Sequence, residues 1–364
     1  MAELFTPFSV RDLPLRNRVV VSPMCEYSCD DGFANDWHVV HLGSRAVGGA
    51  GLVFTEANAV TADGRISPSD LGIYRDAHID ELARIVRFVK MQGAAMGTQL
   101  AHAGRKASTA APWQGGAAVA VADGGWRPIH APSAVAFSAD SIVPEALDEA
   151  GIANIIAAFA EGARRAEAAG FAVVEVHAAH GYLIHQFLSP ISNRRTDRYG
   201  GSLENRVRFP LEVVAAVRNV WPEEKPLFVR ISATDWVDGG WNVDESVEFA
   251  RALKAHGVDL VDVSSGGTVG DAKIPLGPGY QVPMAARIRR EAGIATGAVG
   301  MITEAHQAER IIGEGSADLV FLAREMLRDP YWTVHAAHRL GVDVPWPKQY
   351  QRAKPPLPEL IGSR

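Results

Sequence analysis

The chain has 364 residues, 47% hydrophobic and 21% charged, with a net charge of −6. That balance suits a globular protein with apolar residues enough for a large core, and no basic stripe marks a nucleic-acid binder. No apolar run approaches the ~20 residues that span a bilayer; the acidic start Met1-Ala2-Glu3-Leu4-Phe5 does not resemble a signal peptide; and the two cysteines, Cys25 and Cys29, are too few for a disulfide framework or a four-cysteine zinc site, so a cytoplasmic protein is expected.

Taken in chain order, eight β-branched runs predict strands: Arg18–Val21, Gly51–Val60, Ala94–Leu100, Phe171–His177, Pro226–Ser232, Val258–Ser264, Ile294–Val299 and Ala317–Ala323. Several are nearly unbroken apolar segments, such as Leu227-Phe228-Val229-Arg230-Ile231, which suits parallel strands covered on both faces. Helical patterns lie between them. Asp76 can cap a helix whose apolar positions are Ile79, Leu82, Ala83, Val86 and Val89, with Gly93 to end it. Ile152, Ile155, Ile156, Phe159 and Ala163 form a second apolar stripe, closed by Gly170. Asp329-Pro330 supplies an N-cap and a first-turn proline. Eight β-then-α units predict a single domain over 1–364, an α/β (β/α)₈ TIM barrel. An open doubly wound sheet is the competing architecture, weakened because no GxGxxG follows the first strand.

The spacing is uneven once. Residues 102–150, after the third strand, are rich in Ala, Gly, Pro and Trp. In a barrel this stretch leaves the C-terminal face, where active sites sit, so a capping loop is expected there. Residues 345–364, with Pro345, Pro347, Pro355 and Pro356, predict an extended C-terminal tail.

The strand ends offer chemistry. His177-Ala-Ala-His180-Gly-Tyr182 puts two imidazoles and a phenol within six residues at a strand end. Imidazole N–H groups can hold a developing negative charge on oxygen, and a phenol can deliver a proton. Hydrogen-bonded core residues are the competing reading; zinc lacks a third ligand. Gly300 and Ala323-Arg324 follow the seventh and eighth strands, where barrels hold phosphate, with Thr303 as an N-cap just beyond. Taken singly, a tight turn at Gly300 and a surface Arg324 are the readier explanation. Arg230, inside an apolar strand, needs an anionic partner, either a reduced flavin ring or a carboxylate such as Glu175. Cys25 reads as a small buried hydrophobe when taken alone.

Together these residues resemble the Old Yellow Enzyme family of FMN-dependent ene-reductases over nearly the whole chain. The landmarks are Ser22-Pro23-Met24-Cys25, Gln99-Leu-Ala-His102-Ala-Gly-Arg-Lys106, His177-Ala-Ala-His180-Gly-Tyr182 and the long run from Asn193 to Arg206. Cys25, Tyr27 and Gln349-Tyr350-Gln351-Arg352 are similar to the thermophilic-like branch that includes xenobiotic reductases. The resemblance implies FMN held by Ser22, Pro23, Met24, Cys25, Ala57, Gln99, Arg230, Gly300, Met301, Ala323 and Arg324. It implies His177 and His180 on the substrate's carbonyl or nitro oxygen, Tyr182 as proton donor, and Tyr27 and Ile66 lining the substrate pocket. Arg352 would reach a neighbouring subunit's pocket in a homo-dimer or homo-tetramer. The implied reaction is ping-pong: NADPH or NADH gives hydride to the flavin, which passes it to an activated alkene such as an enone, enal, maleimide or nitroalkene. No metal, nucleic acid or membrane partner is implied. Two residues depart from the pattern, Glu26 where the branch often has Gln and Ala323 where Gly is common. A non-catalytic flavin-binding protein is the alternative. Larger relatives carrying an iron–sulfur cluster would need more cysteines than two.

Overall fold

The computed structural model describes residues 2–358; Met1 and residues 359–364 of the expected tail lie outside them. The chain enters through an antiparallel ribbon, β1 (Phe8–Val10) and β2 (Leu13–Leu15). Eight parallel strands then close a barrel: β3 (Val19–Val21), β4 (Leu52–Ala59), β5 (Ala95–Ala101), β8 (Val173–Ala178), β9 (Leu227–Ser232), β10 (Leu260–Ser264), β11 (Ala295–Ala298) and β12 (Leu319–Leu322). Each falls on one of the eight expected runs. Val20 pairs with Leu52 on one side and Phe321 on the other, so the first and last barrel strands meet and no edge is left open.

Every residue of β3, β4, β8, β9, β10 and β12 is buried, which is why their sequences run apolar without alternation. At the N-terminal end the interior is filled by Phe54, Phe228 and Phe321, with Phe54 6.2 and 6.1 Å from the other two ring centres. Gly97 makes room for them: a Cβ there would sit 2.5 Å from the Phe54 ring. Val10 and Leu15 of the ribbon join this cluster and close that end. Toward the C-terminal end the interior turns polar, through Thr55, Asn58 and Thr98 and then Gln99, Glu175, Arg230 and Asp262.

Helices α1 (Asp36–Val47), α2 (Ile79–Met91), α3 (Glu149–Ala169), α4 (Leu183–Leu188), α5 (Leu203–Val220), α6 (Val243–Ala255), α7 (Val282–Ala292), α8 (Ala305–Gly313), α9 (Arg324–Arg328) and α10 (Trp332–Arg339) follow the strands. The stripe on α3 packs inward as expected, and Gly170 ends the helix in the left-handed region at φ 87°. Three caps differ from expectation. Asp76 caps nothing; its carboxylate takes a hydrogen bond from Arg165 Nε at 2.7 Å, and α2 begins after a 3₁₀ turn. Thr303 lies two residues before α8 and makes no cap bond. Asp329 sits just ahead of α10, where its side chain accepts the Tyr331 N–H at 2.9 Å.

Residues 102–150 carry short 3₁₀ turns and a two-residue parallel ladder, β6 (His130–Ala131) with β7 (Glu145–Ala146). The C-terminal stretch is not extended throughout. Lys348–Ala353 form a 3₁₀ helix, on which Tyr350 lies 6.2 Å from the Tyr331 ring of the same chain.

Candidate active site

The turn after β8 builds the first half of the site. His177 is the fifth residue of that strand, and the chain then reverses through His180 at φ 60° and Gly181 at φ 72°. Two successive left-handed residues are costly for anything but glycine, and a Cβ at Gly181 would overlap the Gly267 carbonyl. The turn brings three rings together. His177 stands edge-on to His180 at 5.1 Å and to Tyr182 at 5.1 Å. His177 Nδ1 accepts the Ala179 N–H at 3.3 Å, so its proton sits on Nε2. His180 Nε2 lies 2.7 Å from Ser264 Oγ. Ser265 Oγ holds Gln281 Oε1 at 2.5 Å while Ser264 is 3.5 Å from the same oxygen. Burial, and then the Arg230 cation, push both imidazoles well below their ordinary range. Both are neutral at pH 7, and His177 keeps a free Nε2–H. Burial keeps the Tyr182 phenol protonated.

Strand register sets Arg230 between His177 on β8 and Asp262 on β10. The carboxylate partner is Asp262, with Arg230 Nε at 3.0 Å from its Oδ2, and not Glu175. Glu175 instead accepts from Gln99 Nε2 at 2.7 Å. The Arg230–Asp262 contact is close but poorly aligned, so neither atom gains a good hydrogen bond. Burial pushes Glu175 and Asp262 upward. Arg230 Nη1 donates to Ser22 Oγ at 3.0 Å.

A cavity of about 270 Å³ opens at the ends of β11 and β12, lined by Gly300, Met301, Ala323, Arg324 and Arg328. Gly300 has φ 118°, and a Cβ there would stand 2.7 Å from Gln281 Nε2, so the cup needs glycine. Ala323 has φ −103° and ψ −98°, outside the α and β regions, a conformation that glycine would adopt more easily than alanine. Among the described residues the Arg324 guanidinium has no carboxylate partner, and the N–H groups of Gly300 and Met301 donate to no protein acceptor. Free N–H groups, a lone cation and a cup that excludes a side chain fit a phosphate. Orphaned polar atoms on Glu175, Arg230 and Asp262 fit the polar edge of a ring system above them. The residues present thus fit FMN.

Ser22, Pro23 and Met24 continue from β3 to Cys25 and to Tyr27, the latter at φ 49°. Ala57 is buried on β4 across from Gln99. Burial holds Cys25 as a thiol, with the negative charges of Asp70 and Glu56 adding to the effect. Glu26 turns away from this end: its carboxylate is 3.1 Å from His41 Nε2 and 3.0 Å from Trp37 Nε1, both on α1. Behind it, Cys29, His38 and Glu56 bring their ligand atoms within 4.8 Å of one another. His38 Nδ1 accepts the Asn35 N–H at 3.1 Å, so Nε2 carries the proton and gives it to Glu56 at 3.0 Å. The trio is satisfied as hydrogen bonds.

A second cavity, of about 320 Å³, is lined by Tyr27, Ile66, Lys106, Thr109, Phe137, Ile142 and Tyr182. Tyr27, Ile66 and Tyr182 thus meet at one opening, with the loop 102–150 as its far wall. Arg352 is exposed and lines neither cavity. The sequence reading assigned no role to Lys106. Its Nζ donates to the His180 carbonyl at 2.9 Å and lies 4.9 Å over the Tyr182 ring, and burial pushes it down to about 8. A lysine five residues beyond a strand end was the available signal. Asp70 was also missed; no strand or helix pattern points to it.

Comparison with known proteins agrees with this geometry. The model of the NADH:flavin oxidoreductase / NADH oxidase family matches residues 3–342. An NADPH dehydrogenase of Geobacillus sp. (strain WCH70) is 53% identical over 351 residues, covering 96% of this chain and 98% of the relative. That of Bacillus subtilis (strain 168) is 47% identical over 352 residues, covering 96% and 98%. Among solved structures, morphinone reductase superposes with a TM-score of 0.78 at 28% identity, covering 94% of this chain and 90% of its own. With a closed (β/α)₈ barrel and a family match over most of its length, the chain belongs to the NADH:flavin oxidoreductase / NADH oxidase family, the Old Yellow Enzyme lineage of oxidoreductases that use FMN and a nicotinamide donor.

Proposed function

We propose that this oxidoreductase is an ene-reductase that reduces activated C=C bonds of enones, enals, maleimides or nitroalkenes by a ping-pong mechanism. The observation that carries this reading is the pair of neutral imidazoles, His177 and His180, packed edge-on with a protonated phenol, Tyr182, that itself lines the second cavity. When bound, FMN supplies a two-electron carrier between the nicotinamide and an electron-poor carbon. Its phosphate belongs in the Gly300–Met301 and Ala323–Arg324 cup, and its ring against Ser22 to Cys25, Ala57, Gln99 and Arg230. His177 Nε2–H and the His180 ring N–H hold the substrate's carbonyl or nitro oxygen and stabilise the negative charge that gathers there. Being neutral, both donate without themselves acidifying the oxygen. Tyr182 gives its proton to the α-carbon. Tyr27, Ile66 and Phe137 exclude water from the same space.

One cavity serves both nicotinamide and alkene, so one must leave before the other enters. The segment 102–150 caps that cavity. Arg352, exposed on its own chain, enters the cavity of a second copy. The test is anaerobic. Enzyme reduced by NADPH is mixed with 2-cyclohexenone, and reoxidation with formation of the saturated ketone is followed. Tyr182→Phe should slow this step on the order of a hundredfold while reduction by NADPH continues. Reduced enzyme that ignores every activated alkene would return the protein to a flavin carrier.

A further inference from the structure

Each reduction of an alkene consumes one proton from Tyr182, and that proton must be restored before the next. We propose that Asp70 restores it, through a single water molecule held between the two side chains. This rests on the reading of Tyr182 as the acid.

The observations lie in a small void beneath the substrate cavity. It measures about 10 Å³ and is lined by Ala57, Ala59, Gly64, Ile66, Asp70 and Tyr182, with two further alanines. That is about the room one water requires. Of the lining side chains only Asp70 and Tyr182 carry polar atoms, so a water there has these two as its side-chain partners. Asp70 is 2% exposed. Its Oδ2 accepts the Ile66 N–H at 2.6 Å, while Oδ1 is buried with no partner. An orphaned buried carboxyl oxygen is costly unless water or a proton satisfies it. Because Oδ2 is engaged as an acceptor, Oδ1 is where the proton resides.

Burial, and then the negative charge of Glu56, push Asp70 up to about 7. The other titratable neighbours are Cys25, Tyr27 and Cys29 from the loop after β3 and Tyr182 across the void, and burial keeps each of them protonated. Near neutral pH Asp70 is thus a loaded acid roughly half the time. The transfer balances. The Tyr182 O–H bond breaks as the α-carbon gains a C–H bond, leaving a phenolate. The water gives a proton to that phenolate and takes one from Asp70 Oδ1. The net result is a restored phenol and an Asp70 carboxylate, which reloads from solvent.

Sequential mixing of the holoenzyme tests this. Reduced enzyme is oxidised by one equivalent of 2-cyclohexenone, reduced again, and mixed at once with a second equivalent. In Asp70→Asn the first oxidation should match the wild type, and the second should be on the order of tenfold slower or more. Equal rates for both oxidations would overturn the relay. In wild-type holoenzyme, ¹³C-aspartate NMR should show a carboxyl titrating near pH 7 that is missing from Asp70→Asn; an Asp70 already ionised at about pH 5 would overturn it even were the variant unfolded. Tyr182→Phe separates the two readings, because its first oxidation should already be slow. A normal first oxidation in that variant would remove Tyr182 as the acid, whatever Asp70 does.

Discussion

At the scale of single residues, the site depends on which nitrogen of each imidazole holds the proton. The Ala179 N–H sets His177, and His180 Nε2 shares its hydrogen bond with Ser264 Oγ. Ser264→Ala should remove that bond. We expect it to slow enone reduction up to about tenfold, the worth of about 1 kcal/mol in a hydrogen bond, while FMN content is unchanged; stopped-flow reoxidation with a flavin assay checks this. Cys25 is argued from charge. On the proposed placement of the flavin ring against Cys25, a neutral thiol tunes it without ion pairing, so Cys25→Ala should move the FMN reduction potential and leave the unfolding midpoint in place. A spectroelectrochemical titration with an unmoved potential would reduce Cys25 to packing. The sequence disclosed these residues because each stands at a strand end, where a barrel exposes its chemistry. Asp70 and Lys106 stayed hidden for a physical reason. Their roles come from what faces them across a cavity, and neither void nor cation–ring distance has a trace in one dimension.

At the scale of elements, the turn from β8 into α4 is held by Asp235. It accepts from Ser189 Oγ and Thr268 Oγ1 at 2.6 Å each and from the Trp241 N–H at 2.8 Å, and it lies 3.1 Å from His185 Nε2 on α4. Burial alone would raise this carboxyl, but the bonds from His185, Ser189 and Thr268 outweigh it and hold Asp235 down to about 2. A depressed carboxyl contributes stability above its unfolded pKa, near 3.8, and loses it as pH falls toward 2. The contribution is about 2 kcal/mol. Asp235→Asn should lower urea-unfolding stability at neutral pH and flatten its decline between pH 4 and 2, and parallel curves for both proteins would refute this. Gly181→Ala should cost more, about 3 kcal/mol or above, since it combines a left-handed φ with overlap at Gly267 O. The eight strands were legible because burial on both faces writes continuous apolar runs. The caps at Asp76 and Thr303 were not, since a distant Arg165 claims the first and the second lies outside its helix.

At the scale of the whole molecule, the C-terminal stretch carries the boldest expectation. Arg352 is exposed on a 3₁₀ turn that Tyr350 lays against Tyr331. If it completes a second copy's site, truncation after Trp346 should raise the KM for the alkene and reduce the mass in solution while FMN stays bound. Light scattering and steady-state kinetics decide this together. The prolines argue against a regular helix and predict an extended stretch, yet the seven residues between Pro347 and Pro355 leave room for one tight turn. Barrel closure has a consequence for how the protein is made. Val19–Val21 wait unpaired on one side until Val320–Leu322 arrive, about three hundred residues later on the ribosome. The cup proposed for the phosphate is built from loops around that last strand, so on that proposal a nascent or prematurely terminated chain has no place to hold the cofactor. Yellow colour in an expression culture therefore reports finished barrels, and flavin retention can sort full-length protein from fragments before any activity is measured.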